Sequence, residues 1–288
     1  MIMPLNTQSV IPAKIIRLIR RMLAYLFRSQ MFLLLFDELA RVSSNVFKKV
    51  EHGGVEVNIS SGTALMNYRA LTFASKEPDT LIWISKFQKG SNFWDIGANI
   101  GIYTIYAALK TEARVVAFEP IPASVRALCR NIQLNQIQDR VIVVPMPLAE
   151  RTEVKELSIP SDEAGISHVA FGVDYGFSGK THQYSTKTNF PGISWVDLIS
   201  LYELPNPDYV KLDVDGIEHL ILSGADNLLR AVRELLVEVN YDFIEQREAV
   251  ELIMKEKGFY LVSECASPLS TDLEHKETRN QIWVNANI

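Results

Sequence analysis

The order of apolar segments predicts an α/β fold with a mainly parallel sheet and helices on both faces. Three observations carry that prediction. Short β-branched runs, such as Val115-Val116-Ala117-Phe118, alternate with longer stretches of helical periodicity. A turn with two glycines, Asp95-Ile96-Gly97-Ala98-Asn99-Ile100-Gly101, follows the apolar lead-in Asn92-Phe93-Trp94. An acid, Glu119, stands 22 positions after Gly97 at the end of the next apolar run. Strand, glycine turn, helix, strand and acid in that order place a ligand at the first turn and its ribose on the acid.

The first elements form a basic arm. Residues 12–28 read as an amphipathic helix with an apolar stripe of Ile15, Ile19, Met22 and Leu26. Lys14, Arg17, Arg21 and Arg28 form a basic stripe, and a second helix is expected over 31–49. Residues 1–50 carry 8 Lys/Arg and 2 Asp/Glu, whereas the whole chain is net −5 and the remainder therefore −11. A basic head on an acidic body suits an anionic partner such as a membrane surface, or packing on a second copy of the chain. The acidic body gives no support for nucleic-acid binding. The apolar runs Met22–Phe27 and Met31–Phe36 are separated by Arg28-Ser29-Gln30. Neither approaches the roughly 20 apolar residues of a membrane span, and neither reads as a secretory signal. Cys129 and Cys265 imply no disulfide framework, so a cytoplasmic protein, peripheral at a membrane if the arm docks there, is expected.

The body is expected over 51–288. Within 51–90, residues 55–74 alternate weakly as a small hairpin. Glu77-Pro78-Asp79-Thr80 then opens a helix that runs through Leu81, Ile84 and Phe87 to Gly90. Strands at 93–96, 114–119 and 141–145 alternate with helices near 101–110 and 122–135. Residues 151–195 break the rhythm with five glycines and read as a substrate-loop insertion containing β-like pieces at 154–159 and 168–171. The rhythm resumes with strand 208–213, helix 216–230, strand 234–239 and helix 244–257. Strands near 259–263 and 281–285 follow.

The chemistry of the turn is selective. A pyrophosphate approaches a three-glycine turn, and here the third glycine is missing. Asp95 would repel a phosphate but suits an ammonium group, directly or through water. Glu119 can accept from both hydroxyls of a ribose. An amino-acid nucleoside, S-adenosylmethionine, has those groups and no phosphate.

Four blocks make the chain similar to the FkbM family of S-adenosylmethionine-dependent methyltransferases. They are Asp95 to Thr104, Phe118-Glu119-Pro120, Asn131-Ile-Gln-Leu-Asn135, and Asp208 to Glu218 followed by Leu222-Ser-Gly-Ala225. The resemblance covers roughly 72–285. It implies a class I, Rossmann-like fold with a seven-stranded sheet, and transfer to a hydroxyl oxygen of a sugar, glycoside or polyketide-type small molecule. It carries the cofactor positions to Asp95, Gly97, Ala98, Asn99, Gly101 and Glu119, with Pro120 against the adenine. Asp215 departs from the family, which more often has Glu before the glycine.

The end of strand 208–213 should face the methyl group, because ligands of open α/β sheets lie outside the strands' carboxyl ends. Asp213 and Asp215 are therefore expected to act as base or orienting group, with Lys211 paired to one of them. A Mg²⁺ reading would use Asp213, Glu238 and Asn240 at strand ends. The primary reading has no metal. The five histidines lack metal spacing, and His168, beside Ser167, is the one expected to meet the acceptor. Two rival readings remain at this point: an NAD-type oxidoreductase holding its ribose on Glu119, and a non-catalytic binding or scaffold protein that keeps the fold.

Overall fold

The structure, a computed structural model, describes residues 46–266 and 277–288, together with Met22, Leu34, Leu35, Asp37, Glu38, Leu39 and Val42. Those isolated positions are helical, and apart from them the two arm helices lie outside the described residues. Among the described residues no helix is long and apolar enough to cross a membrane.

The body is built on a seven-stranded sheet. Its strands are β3 (Asn92–Ile96), β4 (Arg114–Phe118), β5 (Val141–Val144), β10 (Tyr209–Leu212), β11 (Glu234–Asn240), β12 (Phe259–Cys265) and β13 (Thr278–Asn285). Their spatial order is β12-β13-β11-β10-β3-β4-β5. Neighbours from β11 across to β5 pair in parallel, and β13 inserts antiparallel between β11 and β12. Parallel strands need crossovers. Helices supply them: α4 (Ile102–Lys110) and α5 (Pro122–Leu134) lead from β3 to β4 and from β4 to β5, and α8 (Ile244–Glu256) leads from β11 to β12.

Each strand's interior is apolar because both faces are covered. One face packs Trp94 against Trp195 with ring centroids 5.0 Å apart, beside Phe118 and Leu212. The other packs Phe93, Trp83 and Phe87, with Phe87 stacked on Tyr209 at 3.9 Å.

Before the sheet come a hairpin and three helices. The hairpin joins β1 (Phe47–His52) to β2 (Val55–Ser60), and α1 (Ala64–Leu71), α2 (Phe73–Lys76) and α3 (Pro78–Ile84) follow. The helix expected over 31–49 therefore gives way to a strand from Phe47, and the hairpin begins earlier than the expected 55. The sequence signal was Gly53-Gly54, which sit at φ +58 and +78 and close a two-residue turn. The asparagines of the 131–135 block fasten this hairpin. Asn131 Oδ1 accepts from Ser60 N at 2.7 Å while its Nδ2 donates to Ile100 O at 2.7 Å. Asn135 bonds both backbone groups of Asn58, at 2.8 and 2.7 Å.

The 151–195 stretch is more ordered than the loop the sequence suggests. β6 (Leu148–Ala149), β7 (Glu153–Ile159), β8 (Ala170–Phe171) and β9 (Thr186–Ser194) form a second sheet in the order β6-β9-β7-β8. α6 (Trp195–Tyr202) then leads back to β10. The helix expected over 216–230 is broken into α7 (Glu218–Ser223) and a 3₁₀ turn (Asp226–Ala231). Gly224 marks the break, since a Cβ there would lie 2.4 Å from the carbonyl oxygen of Glu150.

Candidate functional site

The chain runs outward from β3 through β4 to β5 and returns to β10 on the other side of β3. At such a reversal the loops after the two central strands part and leave a crevice. A cavity of about 320 Å³ fills it, lined from both loops and from α2 and β13.

The first loop needs its glycines. Gly97 has φ +87, and a Cβ there would overlap the carbonyl oxygen of Asp213 at 1.8 Å. Gly101 has φ +84, and its missing side chain leaves room for Leu128 Cδ1. Gly97 N and Ala98 N both donate to Phe118 O, at 3.1 and 2.9 Å, locking the loop to the end of β4. Asn99 is left-handed at φ 55, its Nδ2 donates to Ile166 O at 2.6 Å, and its Oδ1 accepts from Ile100 N at 2.9 Å.

Glu119 lies in the same cavity, almost fully buried. Its Oε2 accepts from Asn99 N and its Oε1 from Ile121 N, each at 2.8 Å. Burial pushes its pKa up to about 7 against the opposing effect of these two N–H donors. An ionised carboxylate has about four acceptor positions, so each oxygen keeps one for a further donor. Pro120, Phe118, Ile121 and Met146 supply an apolar wall beside it.

Asp95 is placed differently from a direct ammonium contact. It is fully buried and does not line the cavity. Its Oδ2 accepts from Thr104 Oγ1 at 2.6 Å, and its Oδ1 has no hydrogen-bond partner. Burial raises its pKa, opposed chiefly by the charge of Lys211, its neighbour in register on β10. Asp95 therefore makes no direct contact with the cavity.

At the end of β10, Lys211 and Asp213 pair at 2.5 Å. The lysine side chain is 1% exposed and the aspartate side chain 20%, so the pair presents its carboxylate to the cavity. Lys211 Nζ also lies 4.9 Å from the centre of the Tyr103 ring. Burial favours a neutral amine, but the carboxylates of Asp213, Glu77 and Asp95 outweigh it and raise the lysine's pKa. Lys211 is thus a fixed cation.

Asp215 lines the cavity in a left-handed conformation, φ 63. Its Oδ2 accepts from His168 N at 2.7 Å and Val169 N at 3.1 Å. It anchors the 166–171 segment over the crevice. Glu218 does similar work below, accepting from Val214 N at 2.8 Å, Gly216 N at 3.0 Å and Gln246 Nε2 at 2.5 Å. Burial brings its pKa up to about 7.

Ser167 lines the cavity, but the His168 ring does not. His168 has φ 67, and its ring packs 4.8 Å from Phe177 and 5.8 Å from His182. The left-handed turn carries the ring away from the cavity that its neighbour faces.

The three residues of the metal reading are not brought together. Asp213 and Glu238 line the cavity, whereas Asn240 does not; its Oδ1 accepts from Asp242 N at 2.9 Å. No group of three or more His, Cys, Asp and Glu side chains with metal-ligand geometry occurs among the described residues.

The structure adds residues that the sequence did not single out. Arg69, Lys76, Glu77, Tyr103, Thr278 and Asn280 also line the cavity. Glu77, expected only to complement a helix end, pairs with Lys76 at 3.2 Å and accepts from Thr80 Oγ1 at 3.1 Å and Asn280 Nδ2 at 3.2 Å. Burial works against its charge, yet Lys76 and Lys211 hold its pKa down to about 2. The adjacent Lys76-Glu77 pair was visible in the sequence, but its partner Asn280 lies 203 positions away.

Comparison with known proteins adds to this geometry. The hexuronic acid methyltransferase AglP of Haloferax volcanii is 28% identical over 166 residues, covering 57% of this chain and 62% of AglP. The chain thus spans less than two thirds of that relative's length. The methyltransferase sdnD of Sordaria araneosa is 26% identical over 194 residues, covering 60% of this chain and 74% of sdnD. Among solved structures, M. jannaschii TYW2 in complex with AdoMet superposes with a TM-score of 0.44 at 13% identity, covering 83% of this chain and 84% of the other. A precorrin-6y C5,15-methyltransferase from Geobacter metallireducens gives 0.41 at 17% identity, covering 72% and 86%. The family model described as the methyltransferase FkbM domain matches residues 95–261. Because that match starts on the first turn of the crevice and takes in more than half of the chain, the protein belongs to the FkbM methyltransferase family.

Proposed function

We propose that the protein transfers a methyl group from S-adenosylmethionine to a hydroxyl oxygen of a small molecule, of the sugar, glycoside or polyketide type. The carrying observation is that Glu119 and the Lys211–Asp213 pair line one and the same cavity. The names of the relatives AglP and sdnD support a sugar or natural-product acceptor.

The residues present suit the cofactor. Glu119 keeps one acceptor position on each oxygen for the ribose hydroxyls, and Phe118, Pro120, Ile121 and Met146 offer an apolar surface to the adenine. The backbone of Gly97 to Ile100 borders the amino-acid moiety. When bound, S-adenosylmethionine supplies an electrophilic methyl group on a sulfonium. The chain supplies position, an effect worth up to roughly 7–11 kcal/mol for a well-aligned pair of reactants. Asp213, held by Lys211, orients the acceptor.

Calorimetry with S-adenosylhomocysteine and, separately, NAD tests the cofactor: micromolar binding of the first and none of the second is expected. The reverse result would select the oxidoreductase. Labelled S-adenosylmethionine with hexuronic acids, neutral glycosides and polyketide alcohols, followed by product analysis, then separates O- from N-transfer. If no acceptor is methylated although the nucleoside binds, the binding-protein reading gains.

Glu119 gives a pH signature. Ribose hydroxyls donate to its ionised form, so ligand binding lowers its pKa and releases a proton. Affinity for S-adenosylhomocysteine should rise with pH up to about 7 and then level off. Calorimetry in buffers of different ionisation enthalpy reads the proton directly. Glu119→Gln should abolish the release and weaken binding by roughly 10–100-fold. Binding that takes up a proton would contradict the assignment.

A further inference from the structure

Methylating a hydroxyl requires a base with an open lone pair at the acceptor end of the cavity. Most carboxylates there already hold at least one donor from the chain itself. Asp213 accepts from Lys211 Nζ, Asp215 from two backbone N–H groups, and Glu77 from Thr80 and Asn280 while paired to Lys76. Lys211, held protonated by its neighbours, has no lone pair to offer.

Glu238 differs from all of these. It stands near the carboxyl end of β11, one step beyond the Leu212–Val237 pair and therefore level with Asp213. On its other side it is in register with Asn280 of β13. Its side chain is half-buried and lines the cavity. Among the described residues its carboxyl makes no hydrogen bond and no ion pair. A carboxyl group that faces a cavity with its lone pairs uncommitted is one whose partner arrives with the ligand.

We propose that Glu238 is the base of the transfer, taking the proton of the acceptor hydroxyl as that oxygen bonds to the methyl carbon. This rests on the hydroxyl-methyltransferase reading above. In the step the acceptor O–H bond breaks toward Glu238 and an O–CH₃ bond forms. The carbon–sulfur bond of the sulfonium breaks with its electron pair left on sulfur. Glu238 passes the proton to water when the product leaves. Asp213 and Asp215 then have positioning roles, which reassigns the base from the residues the sequence favoured.

The surroundings suit the task. Burial first, then the charges of Asp213, Asp215, Glu218 and Glu77, raise the Glu238 carboxyl well above the usual carboxylate range, and Lys76 is a cation near enough to respond to its charge. A base is more effective when its pKa is raised toward the working pH. Its active, ionised form increases with pH, so the rate should increase with it.

The test compares the wild-type protein with Glu238→Gln, Glu238→Asp and Asp213→Asn, using S-adenosylmethionine and a hydroxyl acceptor from the panel above. Glu238→Gln should lower kcat by about 10²–10⁴-fold, erase the rise of rate with pH, and leave S-adenosylhomocysteine affinity within about twofold. Glu238→Asp should keep the pH rise at reduced kcat. Independently of turnover, infrared difference titration should show a protonated carboxyl in the wild type that the Gln variant lacks. Wild-type kcat or an unchanged pH profile in Glu238→Gln overturns the proposal, and so does loss of nucleoside binding, which would make Glu238 a structural support. If the wild type methylates only amines, the hydroxyl reading itself fails and the base role fails with it.

Discussion

Gly97→Ala should destabilise the fold by about 2–5 kcal/mol and remove measurable S-adenosylhomocysteine binding. Two costs add. A left-handed φ for a residue with a Cβ costs roughly 1–2 kcal/mol, and Gly97 sits at φ +87. The added carbon would also lie 1.8 Å from the Asp213 carbonyl oxygen. Neither backbone can yield cheaply, because Gly97 N is bonded to Phe118 O and Asp213 N to Ile96 O. Forcing them apart adds roughly 1–3 kcal/mol and moves the cofactor turn and the acceptor loop together. Gly90→Ala is the control: Gly90 is also left-handed, at φ +74, but a Cβ there meets nothing within 4 Å. It should cost only the conformational share, about 1–2 kcal/mol, with binding intact. Urea unfolding and calorimetry on both variants make the comparison, and equal losses would show that the contact with Asp213 is unimportant.

Lys211→Met should cost about 3–5 kcal/mol, the usual penalty for removing one partner of a buried ion pair. Methionine fills the space, so the loss comes from the carboxylates of Asp213, Glu77 and Asp95 that the lysine neutralises. The pH dependence identifies this cause. In the wild type the Glu77 pKa is held down to about 2, so its contribution to stability is present above the ordinary carboxylate value and lost as pH falls toward about 2. Without Lys211 the carboxyls of Glu77 and Asp95 titrate higher, and the folded variant binds protons that the wild type does not. The deficit in stability should therefore be smallest in acid, grow as pH rises through the carboxylate range, and level off near neutrality. Urea midpoints measured across that range decide it. A deficit independent of pH would mean that lost packing, not charge, destabilises the variant.

The parallel core was legible because its strands report themselves locally. Val115 to Phe118 can be little but a doubly covered strand, and Gly97 with Glu119 marks the crevice by spacing alone. The errors come from weak local signals and from distance along the chain. The first half of β1, Phe47 to Lys49, was read as helix because Phe47 to His52 alternates with only half-buried positions, and the Gly53-Gly54 turn was the stronger signal. β9 escaped notice because its partner β7 lies more than 25 residues before it, so no local hairpin announces the pair. Glu77 and Asn280, or Lys211 and Tyr103, meet only after the sheet is assembled. His168 was misplaced by one backbone angle, since its φ of 67 points neighbouring side chains in opposite directions. Glu238 was seen, but its uncommitted lone pairs can be recognised only once every other carboxyl has been given its partner.

The position of β13 sets an order of events during folding. It follows β12 in the chain yet lies between β12 and β11 in the sheet. On the ribosome β12 therefore emerges with no strand to join, and must wait, unpaired and aggregation-prone, for the segment made after it. The same late segment carries Thr278 and Asn280 into the cavity. A nascent chain halted before β13 would hold the glycine turn and Glu119 but lack that wall, so nucleoside binding and methyl transfer should be acquired at different times in the protein's synthesis.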